Sequence, residues 1–583
     1  MKLTSGTAPL NQIETLQLGL AILCIVLAFV VPRLSNGSFS WVEQKLRALA
    51  QRRWLCALLV GFLPVGLRLL LLPVYGTPGP YIHDEFAYLL QADTFASGRL
   101  TNPAAPLPQF FESVYILVDP VYTAEYQPLQ GLTLAAGRKL TGSPWAAVVV
   151  SMGVFCALLY WALLAWLPSI WALIGAGLIG IEIGVFSYWM NSYWGGNVAA
   201  LGGALFWGAL PRIKKEQRLL YAFLAALGLI IVLNNRPLEG ALLSLIAAVA
   251  LLYWCFIAKQ LSWAALLRRV VFPMALVFGA ALVCMGLYNQ RVTGHLTQFP
   301  YLLYRQRYGM PQGFMWQKKV SVATPMPVDI KACYDEQLRV RERANAIKGF
   351  VLLTAKKVRR LWEFYIGVPL MISLVFLPFI WREPHMRLAL LGLLIVVGLD
   401  NMTFFEYYPH YSAPVAVLIT LAIVQCIRRM RASGQAGVFL SRSLPVICLI
   451  GLLIPLVGRY IEPYVDLPTT WFWGSEFASP SPRSKFVEWL DKQPGQQLVI
   501  VRYLSLPENS TKEPVLFLKN LRVDTGWVYN TANLNTTKVI WTRELDPESN
   551  RQLLKQFPDR KAWLLEPEQY PIRLRPYPIN SPQ

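Results

Sequence analysis

RWLCALLVGFLPVGLRLLLLPVYGTPGPYIHDEF, residues 53–86, joins a long apolar run to a pair of acids. The run over 53–74 is long enough to cross a bilayer as a helix. The breaker cluster 77–80 follows it, so Asp84 and Glu85 fall where the span emerges into water. Ions beside hydrocarbon lose hydration, which makes paired carboxylates at a membrane surface uncommon.

Composition extends this interpretation to the whole chain. Of its 583 residues 55% are hydrophobic and only 15% are charged, which is too apolar for a soluble protein of this length. Long uncharged runs recur, so the sequence predicts a polytopic α-helical membrane protein with about twelve transmembrane helices. The predicted spans are 16–32, 53–74, 144–166, 169–187, 197–211, 219–233, 240–257, 270–288, 364–381, 387–400, 412–427 and 443–458.

The charges indicate an orientation, because every second short loop is basic and the short loops between them are almost free of Lys and Arg. The positive-inside rule places the basic set in the cytoplasm, and therefore both chain ends and the acidic pair outside. The net charge of +21 is thus explained by orientation and acidic membrane lipids, and we expect no nucleic-acid partner. The basic loops hold Arg33, Lys45, Arg47, Arg52 and Arg53; Arg212, Lys214, Lys215 and Arg218; Lys259, Arg268 and Arg269; Arg382 and Arg387; and Arg428, Arg429, Arg431 and Arg442.

The chain divides into a transmembrane domain over 1–458 and a small extracytoplasmic α/β domain over 459–583. Two exterior loops interrupt the first domain: 74–143, with a predicted helix over 84–97, and the basic loop 289–363, with a predicted surface helix over 344–362. In the C-terminal domain we predict helices over 484–490 and 547–557 and strands over 498–501, 539–541 and 562–565. That domain has no glycine-rich phosphate loop and no nucleophile elbow, which favours a lid or a binding module.

Several motifs taken together resemble a known class, the GT-C membrane glycosyltransferases, which include protein O-mannosyltransferases and the bacterial aminoarabinose transferase of lipid A. The similarity covers about 81–415, and the chain departs from the simplest pattern by one extra N-terminal span. It implies a GT-C-like bundle that transfers a sugar, with inversion, on the outer face of the cytoplasmic membrane. The donor would be polyprenyl-phosphate-linked, and the acceptor a lipid, glycan or protein. The motifs are His83-Asp84-Glu85-Phe86, Asp93, Gly98-Arg99-Leu100-Thr101-Asn102-Pro103, Tyr126-Gln127-Pro128 and Phe186-Ser187-Tyr188-Trp189-Met190-Asn191-Ser192-Tyr193-Trp194-Gly195-Gly196.

The acidic pair supplies the predicted catalytic residues. Glycosyl transfer needs a base for the acceptor hydroxyl and stabilisation of a leaving phosphate. Asp84 matches the acidic position of the class and takes the role of base, while Glu85 either orients the acceptor or binds a divalent metal. No other cofactor is indicated. The alternative is that both acids only cap a helix. His83 is a substrate-binding candidate or a structural histidine.

The leaving phosphate needs a cation. Arg236, alone between two spans, is the first candidate, because a guanidinium can bind a phosphate through two parallel hydrogen bonds. A local pair of Arg236 with Glu239 is the alternative. Arg305 and Arg307 are further phosphate candidates, and His410 binds either phosphate or acceptor unless it belongs to an interfacial aromatic belt.

The aromatic turn 188–196 supplies Asn191, Tyr193 and Trp194 as candidate sugar-binding residues, with a membrane-interface belt as the alternative. Glu182, an acid inside a predicted span, is a candidate second acid. A transporter or flippase of a lipid-linked or anionic solute is the rival function. It would favour ionisable groups at mid-membrane and paired repeats. The sequence does not clearly distinguish such a glycosyltransferase from a polymerase or ligase of lipid-linked glycans.

Overall fold

The computed structural model describes residues 12–34, 36–260, 262–311, 313–317, 325–405, 408–461, 482–505, 522, 526–569 and 571–578. The chain is a multi-pass membrane protein, mostly helical, with a small sheet near its C-terminus. Seven of the described helices are long and apolar enough to cross a membrane. They are Arg53–Leu70, Pro144–Leu163, Ser169–Phe186, Pro237–Ile257, Trp263–Thr293, Pro384–Asn401 and Pro409–Arg431.

The remaining predicted spans also fold as helices, but the count of twelve crossings is not confirmed. Three are shorter apolar helices, and Gly196–Glu216 carries four charges at its C-terminal end. The segment 364–381 belongs to a pair of helices, Ile347–Tyr365 and Gly367–Trp381, bent by 102°. Apolar runs in the sequence therefore predicted these helices, but did not predict which of them are long and straight enough to cross a membrane. The shorter apolar helices are Glu14–Val30, Leu219–Leu233 and Gln435–Gly451.

The helix Pro409–Arg431 is central, with 94% of its apolar window buried, whereas only 6% of the window of Trp263–Thr293 is buried. The helix Gly196–Glu216 packs across the start of this central helix. Their close approach requires Gly203, because a Cβ there would overlap the Pro414 carbonyl. The contact fixes the segment that carries His410.

The first predicted exterior loop, 74–143, contains the helix His83–Ala96, which confirms the predicted helix and ends before Gly98 at a φ of +74°. Three short antiparallel strands follow in the order β1-β3-β2, and the helix Pro128–Thr141 then packs on His83–Ala96. The strands are β1 (Asn102–Pro103), β2 (Ile116–Leu117) and β3 (Val121–Ala124).

The described part of the second predicted exterior loop, 289–363, is mostly helical, and its last helix confirms the predicted helix near 344–362. Short or linking helices complete the described membrane part. The exterior helices are Pro300–Tyr308, Val328–Ala344 and Ile347–Tyr365, and the others are Asn36–Ala50, Leu72–Tyr75 and Tyr188–Asn191.

The C-terminal elements form a four-stranded sheet of order β5-β4-β6-β7, in which β4 pairs in parallel with β5 and β6, and β7 is antiparallel. The predicted helices and strands are confirmed, but β7 was not predicted. Its residues are mostly exposed and carry two arginines, so this edge strand lacks an apolar pattern. The elements are β4 (Gln496–Val501), β5 (Val539–Arg543), β6 (Arg560–Glu566), β7 (Arg573–Pro576), Pro482–Asp491 and Pro547–Gln556.

This sheet packs directly on the loop 74–143. Phe86 and Phe111 share one buried cluster with Ile540 and other residues of the sheet. The sheet also contacts the helix Val328–Ala344. A buried ion pair joins Arg543 of β5 to Asp329 of that helix at 3.0 Å, with side chains 5% and 3% exposed. The start of the helix His83–Ala96 therefore lies between the membrane helices and the C-terminal sheet.

Candidate active site

Asp84 lies in the first turn of the helix His83–Ala96, half-buried and hydrogen-bonded from two aromatic side chains. The Tyr126 hydroxyl donates to its Oδ1 at 2.5 Å, and the Trp194 indole also donates to the carboxylate. Burial raises the pKa of Asp84, while these bonds and the positive charge of Arg236 lower it. Asp84 is thus a carboxylate whose basicity depends on its neighbours.

Glu85 is fully buried and bound to the backbone. Its Oε2 accepts from the N–H groups of Tyr81 at 2.9 Å and Ile82 at 3.3 Å, and its Oε1 accepts from the Tyr193 N–H at 2.9 Å. Burial raises the pKa of Glu85 to about 7 in spite of these bonds. The Glu85 carboxylate therefore connects the start of the helix to the aromatic turn 188–196. Both of its oxygens are engaged in these structural hydrogen bonds.

Arg236 lies between the helices Leu219–Leu233 and Pro237–Ile257, with its guanidinium 4.6 Å from the centre of the Tyr411 ring. Burial is the largest influence and lowers the pKa of Arg236, but Glu239 and the surrounding tyrosines together raise it above its ordinary value. Arg236 and Glu239 are both among the described residues, and their charged groups form no ion pair within 4 Å. The guanidinium instead contributes to the field at Asp84. The structure thus brings the predicted base and the first predicted phosphate cation into one site.

His410 and Trp194 form an aromatic wall of this site, with ring centroids 4.4 Å apart. The Nδ1 atom of His410 lies 2.9 Å from the Tyr188 hydroxyl, while its Nε2 is buried and has no hydrogen-bond partner among the described residues. Trp194 also packs on Tyr408 at 4.7 Å and is only 7% exposed, so most of its ring surface already contacts protein.

Two other residues of the aromatic turn hold loops together. Asn191 accepts from the Arg68 guanidinium at 2.7 Å and donates to the Val185 and Ser187 carbonyls just before the turn, each at 3.0 Å. The Tyr193 hydroxyl donates to the Pro78 carbonyl at 3.0 Å, in the breaker cluster that precedes the acids. Asn191 and Tyr193 therefore position the site.

The other two phosphate candidates, Arg305 and Arg307 of the helix Pro300–Tyr308, have different surroundings. Arg305 is 4% exposed, stacks over Tyr301 at 4.5 Å and donates to a backbone carbonyl. Arg307 lies nearer the surface and contacts the Asp119 carbonyl at 2.9 Å and the Glu112 carboxylate at 3.9 Å. Only Arg305 is electrostatically linked to the site, through an acid that the sequence did not single out.

That acid is Glu125, which follows β3 and directly precedes the motif Tyr126-Gln127-Pro128. It is 1% exposed, and its Oε2 has no hydrogen-bond partner among the described residues. Burial raises the pKa of Glu125 to about 8, against the opposing charge of Arg305, so its carboxyl group is mostly protonated at neutral pH. The charge of Asp84 raises the pKa of Glu125 further. In the sequence, Glu125 was marked only by its position directly before the motif Tyr126-Gln127-Pro128.

Two predicted residues point elsewhere. The Nδ1 of His83 lies 2.7 Å from the Tyr529 hydroxyl, and its Nε2 lies 3.2 Å from the Arg522 carbonyl, so His83 faces the C-terminal domain. Glu182 lies in a membrane-span helix and hydrogen-bonds Cys448 of another helix. Neither side chain is brought to Asp84.

The cluster can perform acid–base chemistry next to an anion. It combines one half-buried carboxylate, one protonated acid and two cations, with tyrosine hydroxyls around them. Within the described ranges, no three His, Cys, Asp or Glu side chains converge as ligands for a metal ion.

Comparisons with known proteins gave structural matches only: no protein-family model matches the chain, and no curated protein matches it. ArnT from Cupriavidus metallidurans, solved bound to undecaprenyl phosphate, is similar with a TM-score of 0.47 and 13% identity, over 90% of this chain and 93% of that one. The oligosaccharyltransferase AglB of Archaeoglobus fulgidus, in complex with an inhibitory peptide and a dolichol-phosphate, gives a TM-score of 0.40 and 11% identity, over 88% and 69%.

Proposed function

We propose that the protein is a membrane glycosyltransferase that moves a sugar from a polyprenyl-phosphate-linked donor to a hydroxyl acceptor on a lipid, glycan or protein. The observation that carries the proposal is the convergence of Asp84, Tyr126 and Arg236 beside the ends of membrane helices. The residues come from separate segments, and their types match the needs of glycosyl transfer. The donor class rests on the motif resemblance.

In this mechanism Asp84 takes the proton of the acceptor hydroxyl as its oxygen forms a bond to the anomeric carbon. The bond from that carbon to the phosphate oxygen breaks on the opposite face, which inverts the configuration. The phosphate leaves as an anion, and Arg236 stabilises its charge. Arg305 is the second candidate cation, because it is buried and the neighbouring acid Glu125 is mostly protonated.

We assign Glu85 to positioning, since its two oxygens hold three backbone N–H groups. The positive-inside pattern supports a site on the outer face of the cytoplasmic membrane, and the proposed bundle has about twelve helices. A transporter is less well supported, because two ionisable groups inside the spans have structural partners. Arg68 binds Asn191 and the Gly76 carbonyl, and Glu182 binds Cys448.

The test compares envelope lipids and glycans by mass spectrometry in cells that express the wild type, Asp84→Asn or no protein. A product present only with the wild type names the sugar and the acceptor. Loss of a general base slows a reaction by about 10²- to 10⁴-fold, so Asp84→Asn should give almost no product at equal expression and thermal stability.

The matched control is Asp119→Asn, because Asp119 is an acid of the same exterior region whose side chain is 62% exposed. It should leave the product unchanged. Normal product from Asp84→Asn would exclude Asp84 as the base. Identical glycans and lipids with and without the protein would contradict the transferase proposal as a whole.

A further inference from the structure

A second site lies at the opposite end of the helices that carry the candidate active site. A cavity of about 470 Å³ opens between the start of Arg53–Leu70 and the ends of Pro144–Leu163 and Gly196–Glu216. The helix Arg53–Leu70 leads from this cavity toward the acidic motif. Its 18 residues span about 27 Å, so the cavity is separate from Asp84.

The walls of the cavity are positively charged. Arg53, Arg212 and Lys215 line it together with one acid, Glu216. That acid forms an ion pair with Arg218 at 2.9 Å, which offsets its charge. Arg53 and Lys215 form no ion pair within the described part of the chain. Three cations and one acid that is paired with a fourth cation give the cavity a net positive lining, which favours an anion.

One of these cations is held in place. The Arg212 guanidinium stacks over the Trp161 ring at 4.2 Å and donates to the Gly208 carbonyl at 2.6 Å and the Trp161 carbonyl at 2.8 Å. These bonds orient a fixed positive charge at the cavity wall. Since little side-chain entropy remains to be lost there, an anion would bind to a preformed charge.

Aromatic residues place the cavity at the depth of lipid headgroups. Trp54 lines the cavity and is 69% exposed on the outer surface of the helix bundle, and Tyr221 lines it from a neighbouring apolar helix. Exposed Trp side chains at helix ends are typical of the membrane–water interface. Basic pockets between membrane helices at this depth bind acidic lipid headgroups.

We propose that this cavity binds the phosphate-bearing headgroup of an acidic membrane phospholipid. Arg53 and Lys215 contact the phosphate beside the oriented Arg212, and the acyl chains lie along the apolar surface next to Trp54. The volume falls within the range of about 300–1,000 Å³ found for small-molecule sites, so a headgroup fits without rearrangement. Nothing in this proposal depends on the reaction catalysed at Asp84.

The experiment measures lipid binding to the purified full-length protein in neutral detergent, by native mass spectrometry with titrated phosphatidylglycerol. The variant is the double substitution Arg53→Gln with Lys215→Gln. Each basic residue near a membrane surface contributes about fivefold to the affinity for acidic lipid, so the double variant should bind roughly 25-fold more weakly. The control is Arg268→Gln with Arg269→Gln, two exposed basic residues that do not line the cavity, and it should bind like the wild type.

Phosphatidylcholine of the same chain length and inorganic phosphate serve as the other probes. We expect weaker binding of phosphatidylcholine, and no displacement of phosphatidylglycerol by phosphate. Equal binding of the two lipids, or equal losses in the two double variants, would overturn the proposal. Displacement by inorganic phosphate would show a site for small anions and would also overturn the assignment to a lipid.

Discussion

The hydroxyl of Tyr126 offers a direct test of how the site sets the basicity of Asp84. It donates to the carboxylate at 2.5 Å, and the Tyr126 ring stacks on Tyr88 with centroids 4.5 Å apart. Tyr126→Phe removes the donor and keeps the ring, so the stack and the surrounding packing should persist. The variant therefore isolates one hydrogen bond.

The size of the effect follows from the surroundings of Asp84. Burial already raises its pKa, and the bond from Tyr126 lowers it, so removing the hydroxyl must raise the pKa further. A hydrogen bond to a charged group contributes about 1.5–3 kcal/mol, and because Asp84 is half-buried we take the lower end, about 1.5 kcal/mol. At 1.36 kcal/mol per unit, the pKa should rise by about one unit.

The assay is the pH dependence of kcat/KM for sugar transfer by purified protein, with the donor and acceptor identified from the glycan comparison. A base is active when deprotonated, so the rate falls as pH drops through its pKa, and the acidic limb reports Asp84 in the free enzyme. For Tyr126→Phe this limb should move up by about one pH unit, while the rate well above the pKa changes little.

Tyr88→Phe is the matched control, because Tyr88 stacks in the same pair and forms no hydrogen bond with Asp84. Its acidic limb should coincide with that of the wild type. If the limb of Tyr126→Phe also coincides with it, at equal thermal stability, then Asp84 does not titrate in that limb and the assignment of the base fails.

Three further predictions concern the phosphate, the C-terminal domain and the orientation. Arg236→Lys should raise KM for the donor at unchanged Tm, because lysine keeps the charge but loses the planar fork; an unchanged KM would reject the phosphate role. Asp329→Asn should destabilise the docking of the C-terminal sheet by about 3–5 kcal/mol, since Arg543 is left buried and unpaired, whereas the exposed Asp335→Asn should cost at most about 1 kcal/mol; calorimetry and limited proteolysis distinguish them. A reporter that is active only outside the membrane, fused after Gln583, should be active, and an active cytoplasmic reporter there would reverse the topology.

Hydropathy predicted the long apolar helices of the membrane part, because apolar runs must be buried in protein or lipid whatever the fold, but it missed linking helices such as Asn36–Ala50. It did not predict which helices are too short or too bent to be counted as spans. Asp84 and Arg236 could be named as candidates from sequence, since a charge at the end of an apolar run has few structural uses, and their roles stay predictions. Glu125 was not, because a single acid in an exterior loop is ordinary until the fold buries it near Arg305, 180 residues later in the chain.

The motif His83-Asp84-Glu85 shows why adjacent residues of one pattern separate into different roles. Successive residues of an α-helix point about 100° apart, since 3.6 residues complete a turn. His83 accordingly faces Tyr529 of the C-terminal domain, Asp84 faces Tyr126 and the cations, and Glu85 turns back to the backbone before the helix. The two flanking side chains hold the first turn from opposite sides, one through the C-terminal domain and one through the aromatic turn. We infer that this bracing sets the direction of the Asp84 carboxylate, so the C-terminal domain contributes to the site through Tyr529 and Arg522, which support the helix and do not react.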